Sequence, residues 1–283
     1  MAAALGELVT LAKETVTRWS EDKASTLAAA LAYYAIFSLA PLLLIAVAVA
    51  GLVFGERAAE GQLYAQLAGV VGDASARAVQ RLVANLHQQR SGGIVATVVG
   101  VATLLFAASG FFVQLQDSMN TIWKAKRQSS EGIRGLLRVR LLSFGMVLGI
   151  GVLLLLSLIL SAAASYLTAF LPRGMGLGAV LDAVVGVALG TVLFAMIYRV
   201  LPDASVAWRD VWLGALVTAL LFSVGRLAIG FYLRRASVAS TYGAAGSLVI
   251  LLLWIYYSAA ILYLGAEFTH VYSLRRGSHR TAR

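Results

Sequence analysis

The 283-residue chain has no cysteine and little charge. Without cysteine it has no disulfides, no thiol redox chemistry and no zinc or iron–sulfur site with Cys ligands. Charged residues make up 13% of the chain and hydrophobic residues 60%, whereas a typical soluble domain is about 25% charged. The histidines, His87, His270 and His279, are not grouped into a metal-ligating motif. The composition therefore predicts an all-α, polytopic membrane protein and gives no reason to expect a metal or another cofactor.

Motifs of the common enzyme classes are also missing. The sequence contains no G-x-x-x-x-G-K-[ST] phosphate loop, no H-E-x-x-H zinc motif and no G-x-S-x-G nucleophile motif. Its 13 acidic residues are scattered, whereas a two-metal nuclease needs clustered carboxylates. The net charge is +10. Nucleic-acid binding would also require a solvated domain with interleaved aromatic residues, and the sequence shows no such domain. We therefore expect neither an enzyme nor a nucleic-acid-binding protein.

The longest uncharged run is 24–54. At about 1.5 Å per helical residue it reaches roughly 46 Å, well beyond the ~30 Å core of a bilayer. Pro41 in its middle predicts a bend. The bend is interpreted either as a packing kink, which we favour, or as a hinge beside a pathway. Together with five later runs it predicts six transmembrane helices, at about 24–54, 93–115, 141–170, 178–200, 210–233 and 244–270.

The remaining segments are predicted to flank the membrane. Residues 1–23 carry apolar side chains, such as Val9, Ala12 and Val16, at helical spacing, which predicts an amphipathic interfacial helix. Segment 56–91 shows the same periodicity and predicts amphipathic extracytoplasmic helices, and 273–283 is a basic tail. Of the 23 Lys and Arg residues, fifteen lie on the predicted side of both termini and eight on the other. The positive-inside rule therefore predicts a multi-pass protein of the bacterial cytoplasmic membrane with both termini in the cytoplasm.

The connection 124–140 is strongly basic. Its first cations, Lys124, Lys126 and Arg127, are predicted to contact anionic lipid headgroups on the cytoplasmic side.

Ionisable residues inside predicted spans are informative, because an unpaired charge is costly there. Arg226 lies within the fifth span and Asp182 near the start of the fourth. These spans are antiparallel neighbours, so an Asp182–Arg226 pair is geometrically reasonable. It is interpreted either as a structural ion pair that fixes helix register, or as part of a polar cavity, open to the outer leaflet, that handles a charged headgroup.

A second polar group is predicted at the cytoplasmic ends of the spans. One interpretation is that these residues bind a polar substrate or relay protons. The other, which we favour, is that they cap helices and neutralise one another at the interface. The group comprises Tyr33, Tyr34, Gln114, Asp117, Arg199 and Glu267.

Four stretches carry a resemblance to a known family. They are DKASTLAAALAYYAIFSLAPLLL (22–44), MNTIWKAK (119–126), YRVLPDASVAWRDVWLGALVTALLFSVGRLAIGFYL (198–233) and STYGAAGSLVILLLWIYYSAAILYLGAEFTHVY (240–272). They resemble the YihY/BrkB family of bacterial inner-membrane proteins. The resemblance implies six transmembrane helices, cytoplasmic termini and a role in envelope integrity, with serum resistance and lipopolysaccharide-related phenotypes in some members. An earlier family label, ribonuclease BN, is regarded as mistaken, and the resemblance supplies no catalytic motif.

Two functional hypotheses follow. In the first, the protein transports or redistributes a lipid or another amphipathic envelope component; Arg226 contacts an anionic headgroup and Asp182 holds it in place. In the second, it is a non-transporting scaffold that recruits envelope-biogenesis proteins through segments 124–140 and 56–91.

Overall fold

All regular structure is α-helical in the residues that the structure, a computed structural model, describes: 2–38, 61, 77, 110–125, 145, 149, 177–204, 206–235 and 246–275. The predicted all-α class is confirmed for this part of the chain. Predicted residues Pro41, Lys126 and Arg127, the tail 276–283 and most of segments 56–91 and 141–170 lie outside it. Its helices are α1 (Ala2–Glu21), α2 (described over Ala24–Ser38), α3 (described over 110–122), α4 (Leu177–Val200), α5 (Trp208–Arg235) and α6 (Gly246–Arg275).

Three of these helices are long and apolar enough to cross a membrane. Their qualifying segments are Ala183–Val200 in α4, Trp208–Ala228 in α5 and Leu248–Arg275 in α6. They fall where the fourth, fifth and sixth spans are predicted. The first three predicted spans are described only over α2 and α3, so the count of six spans stays a prediction.

Helices α5 and α6 pack antiparallel through glycines that lie opposite larger side chains. Gly214 lies against Thr269, Gly225 against Tyr257, and Gly265 against Thr218 and Tyr198. A Cβ atom added at Gly265 would lie 2.9 Å from Cβ of Thr218. Only glycine allows the two backbones to approach this closely, a packing mode typical of membrane helices.

The hydroxyl of Tyr198 joins three helices in this region. It donates to the carbonyl oxygen of Leu262 on α6 at 2.8 Å and lies 3.0 Å from the hydroxyl of Thr218 on α5. Tyr198 itself belongs to α4 and is fully buried. A buried hydroxyl needs a hydrogen-bond partner, and these two partners fix α4 against the α5–α6 pair.

Helix α1 packs against α6 near the C-terminal end of that helix. Leu11 and Thr15 are buried, and Glu14 forms an ion pair with Arg275 of α6, with 2.6 Å between Oε2 and a guanidinium nitrogen. Val9 and Val16, on the predicted apolar face, are exposed. This face is therefore available to a membrane surface, and the interfacial location remains a prediction.

Candidate functional site

Charged side chains from three separate parts of the chain meet at one end of the helices. Arg18 and Asp22 come from the end of α1 and the turn that follows, Lys124 from the turn after α3, and Glu267 from α6. We call these four residues the acid–lysine cluster.

The backbone at the end of α3 positions Lys124. The amide of Ala125 donates to the carbonyl of Asn120 at 2.9 Å, and that of Lys124 donates to Thr121 at 3.2 Å, the paired bonds of a Schellman motif. Lys124 occupies the left-handed position of this motif, with φ of 50°, where glycine is usual. The helix thus ends abruptly, and the Lys124 ammonium forms an ion pair with Oδ1 of Asp22.

Asp22 is positioned by a second helix end. Its amide donates to the carbonyl of Arg18 at 2.8 Å, and Lys23, which follows, is also left-handed, with φ of 50°. The carbonyl of Lys23 then accepts the first bonds of α2 from Thr26 and Leu27. This sharp reversal between α1 and α2 leaves the Asp22 side chain only 7% exposed beside Lys124.

Glu267 is the deepest member of the cluster. It is 0% exposed, and neither carboxylate oxygen has a hydrogen-bond donor among the described residues. The charged groups that act on it are Asp22, Lys124 and Arg18. An ionised carboxylate in such a place is costly unless something pairs with it. A buried acid in this condition marks a candidate functional site.

Contacts on both sides of the cluster fix it to the helices. Glu14 links Arg18 and Arg275 through ion pairs of 3.5 Å and 2.6 Å. The rings of Trp123 and His270 lie 5.1 Å apart between centroids. These contacts join α1, the end of α3 and α6 around Glu267.

A bridge of hydrogen bonds between Asn120 and Asp203 connects the same end of α3 to the turn between α4 and α5. The side-chain amide of Asn120 donates to Oδ2 of Asp203 at 3.0 Å, and the backbone amide of Asp203 donates to Oδ1 of Asn120 at 2.8 Å. Gln116 adds a longer bond to the same Asp203 oxygen at 3.4 Å. This reciprocal pairing holds the α4–α5 turn beside the cluster.

The cytoplasmic-end group predicted from the sequence is brought together only in part. Glu267 is buried in the cluster, whereas Tyr33 and Tyr34 on α2 are 59% and 41% exposed. Asp117 is half-buried and engaged, but neither it nor Arg199 is among the charges that act on Glu267. The Nε atom of Arg199 is buried without a hydrogen-bond partner in the described part of the chain. Gln114 donates to Ser118 one turn further along α3, at 3.2 Å.

Arg226 is exposed on α5, next to the exposed side chains of Val224 and Leu227. Asp182 belongs to α4, where only its backbone is described. The contact between Gly190 and Ala219 sets the antiparallel register of α4 and α5, and by that register positions 182 and 226 share one level. Their pairing stays a prediction.

Arg18 and Asp22 were not predicted as site residues, and the contact of Lys124 with lipid headgroups stays a prediction. A signal for the observed grouping was nevertheless present in the sequence. Asp22 begins the first stretch that carries the family resemblance, Lys124 lies in the second, Asp203 in the third and Glu267 in the fourth. All four stretches therefore contribute a charged residue to this end of the structure.

Comparison with known proteins identifies a family. The family described as virulence factor BrkB matches residues 15–283. A UPF0761 membrane protein of Ralstonia nicotianae is 32% identical over 265 residues, which cover 92% of this chain and 58% of that relative. Another, of Cronobacter sakazakii, is 30% identical over 276 residues, covering 95% of this chain and 90% of the relative. The UPF0761 membrane protein YihY of Salmonella newport is 30% identical over 209 residues, covering 73% of this chain and 67% of YihY.

The coverage differs among these relatives. The chain spans only 58% and 61% of the Ralstonia protein and of a UPF0761 membrane protein from Verminephrobacter eiseniae. No solved structure matches the chain.

Proposed function

This chain belongs to the virulence factor BrkB family of membrane proteins, and we propose that it transports or redistributes a lipid or another amphipathic component of the bacterial envelope. The proposal places the protein in the cytoplasmic membrane. It takes the end with the acid–lysine cluster as cytoplasmic, because the positive-inside count assigns both termini to that side.

The observation that carries the proposal is the buried Glu267. A fully buried carboxylate without a donor in the described residues has no evident structural use, because an apolar side chain would pack there at lower cost. Intramembrane ionisable residues that persist despite this cost typically mark pathways for ions, protons or polar substrate groups. The cluster then forms the cytoplasmic end of such a pathway.

Arg226 supplies the contact for a headgroup at the other end. It lies 18 residues beyond Trp208, the first residue of α5, or about 27 Å along the helix at 1.5 Å per residue. Its exposure among apolar side chains suits a cation that meets an anionic headgroup near the outer leaflet. In this proposal Asp182, at the same level of α4, orients Arg226.

The test is lipid exchange in liposomes reconstituted with purified protein. Fluorescent anionic and zwitterionic lipids are followed by their accessibility to an external quencher. We expect protein-dependent exchange that favours anionic lipid. Arg226→Leu should slow it about tenfold, the effect of losing about 1.4 kcal/mol of interaction, whereas Arg226→Lys keeps the charge and should retain most of it.

Exchange that is equally fast in Arg226→Leu would overturn the assignment of Arg226. No protein-dependent exchange with either lipid class would overturn the transport proposal. That result would favour the scaffold hypothesis, which depends on segments 56–91 and 124–140 and would then be tested by crosslinking to envelope-biogenesis proteins.

A further inference from the structure

We propose that Asp22 and Glu267 form a binding site for a single proton, which the two carboxylates share beneath Lys124. The site does not depend on lipid transport, although it would supply such transport with a coupling ion. Its ligand is the proton itself, exchanged with water on the side of the membrane where Lys124 is exposed.

Asp22 acts on Glu267 both through its charge and through a side-chain hydrogen bond. Two ionised carboxylates have no hydrogen to place between them, since each only accepts. Three oxygens here are buried without a donor in the described residues: both of Glu267 and Oδ2 of Asp22. One proton between the two groups turns this arrangement into a carboxylic acid that donates to a carboxylate, as in other close carboxyl pairs.

Charged side chains surround the pair. Helix α1 contributes Arg18, which is also paired with Glu14, and the turn after α3 contributes Lys124. Helix α6 itself carries His270, against Trp123, and Arg275, against Glu14. The four-residue cluster is neutral when fully ionised and carries one positive charge when it holds a proton.

Helices α4 and α5 approach α6 elsewhere. They meet α6 at Gly265 and Thr269, each two residues from Glu267, and side chains two apart on a helix do not face the same way. The carboxylate of Glu267 therefore faces α1 and the end of α3, and the groups named above complete its charged surroundings in the described structure.

A metal ion suits this site less well than a proton does. Lys124 already occupies Oδ1 of Asp22, and Arg18 is nearby, so a metal cation would face two fixed positive charges. No group of three or more His, Cys, Asp or Glu residues able to hold a metal occurs within the described ranges. A proton needs only the two carboxyl oxygens.

A route to solvent is present. The side chain of Lys124 is 54% exposed while that of Asp22, bonded to it, is 7% exposed. Asp22 therefore lies between the exposed lysine and the fully buried Glu267. Protons would reach Glu267 through Asp22, which makes Asp22 the entry to the site and Glu267 its inner end.

The test is infrared difference spectroscopy of the purified full-length protein in lipid at neutral pH. A protonated carboxylic acid gives a C=O stretch that shifts in deuterated water, separate from carboxylate bands. We expect one such acid in the wild type and its loss in both Glu267→Gln and Asp22→Asn, because each amide gives the remaining carboxylate a donor. Glu21→Gln, at an exposed acid next to the pair, is the matched control and should keep the band.

The variants are nearly isosteric, and helix content measured by circular dichroism confirms that they fold. A band that persists in either site variant would overturn the shared-proton assignment. Absence of any carboxylic acid band in the wild type would overturn it as well. Neither result would bear on lipid exchange, so the failure of this proposal is distinguishable from failure of the transport proposal.

Discussion

Replacing Gly265 with alanine tests one of the close glycine contacts between α5 and α6. The added Cβ would overlap the Thr218 hydroxyl, and it would lie 2.9 Å from Cβ of Thr218 and 2.5 Å from the hydroxyl of Tyr198, whereas carbon atoms in good contact lie about 3.5–4.0 Å apart. Helices α5 and α6 must therefore move apart, or the hydroxyls of Thr218 and Tyr198 must give up their hydrogen bonds.

The expected magnitude combines three effects. Overpacking of a close-packed site costs about 1–3 kcal/mol, and a lost buried hydrogen bond adds about 1 kcal/mol. Against this, alanine stabilises the helix by about 1 kcal/mol relative to glycine, because its helix propensity is higher. The net expectation is a destabilisation of about 1–3 kcal/mol.

Gly186→Ala is the matched control, because a Cβ at Gly186 on α4 meets no atom within 4 Å. There only the helix preference acts, so this variant should be neutral or more stable by up to about 1 kcal/mol. The assay is reversible unfolding in mixed micelles, titrated with a denaturing detergent and followed by circular dichroism. If Gly265→Ala proves as stable as Gly186→Ala, the close packing of α5 on α6 and the reasoning built on it are wrong.

Three further predictions use the same unfolding titration. Tyr198→Phe should lower the free energy of unfolding by about 1–2 kcal/mol more than Tyr256→Phe does, because only Tyr198 has a hydroxyl that joins three helices. Equal effects of the two substitutions would contradict that role. Lys124→Gly should be about 1 kcal/mol more stable than Lys124→Ala, since both lose the ion pair but only glycine accepts the left-handed backbone without strain; a more stable alanine variant would refute this. Asn120→Ala should cost about 1–3 kcal/mol, because it leaves the partly buried Asp203 without its reciprocal bonds, and an unchanged midpoint would show that this bridge is not formed.

The helices were largely predictable because their signal is local. A long run without charge needs no knowledge of distant residues, and the predicted spans 178–200, 210–233 and 244–270 fall on α4, α5 and α6. The structure extends α6 to Arg275, beyond the predicted end at 270, since hydropathy falls at the membrane surface while nothing in the sequence stops the helix there. Hydropathy thus locates the apolar core of a helix better than its polar ends.

The site was predictable only in part because its partners are distant in sequence. Glu267 was predicted in a polar group at the cytoplasmic ends of the spans, with Asp117 and Arg199 among its companions. The structure brings Asp22 and Lys124 to it instead. Those neighbours depend on where α1 and α3 end and on how they pack against α6, and helical periodicity carries no information on either.

The two regions of the described structure differ in what holds them together. Helices α4, α5 and α6 pack through glycines and buried hydroxyls, as at Gly265. Such contacts form only when the helices lie at one short distance from each other. Around Glu267, α1 meets the end of α6 through the Glu14–Arg275 ion pair, and the end of α3 meets it through the contact of Trp123 with His270. The Lys124–Asp22 ion pair joins the turns that follow α3 and α1. Loss of the shared proton would add a buried negative charge at this second region and leave the first unchanged. A change in protonation is therefore expected to move α1 relative to the α4–α6 unit, because the Asn120–Asp203 hydrogen bonds fix the end of α3 to that unit.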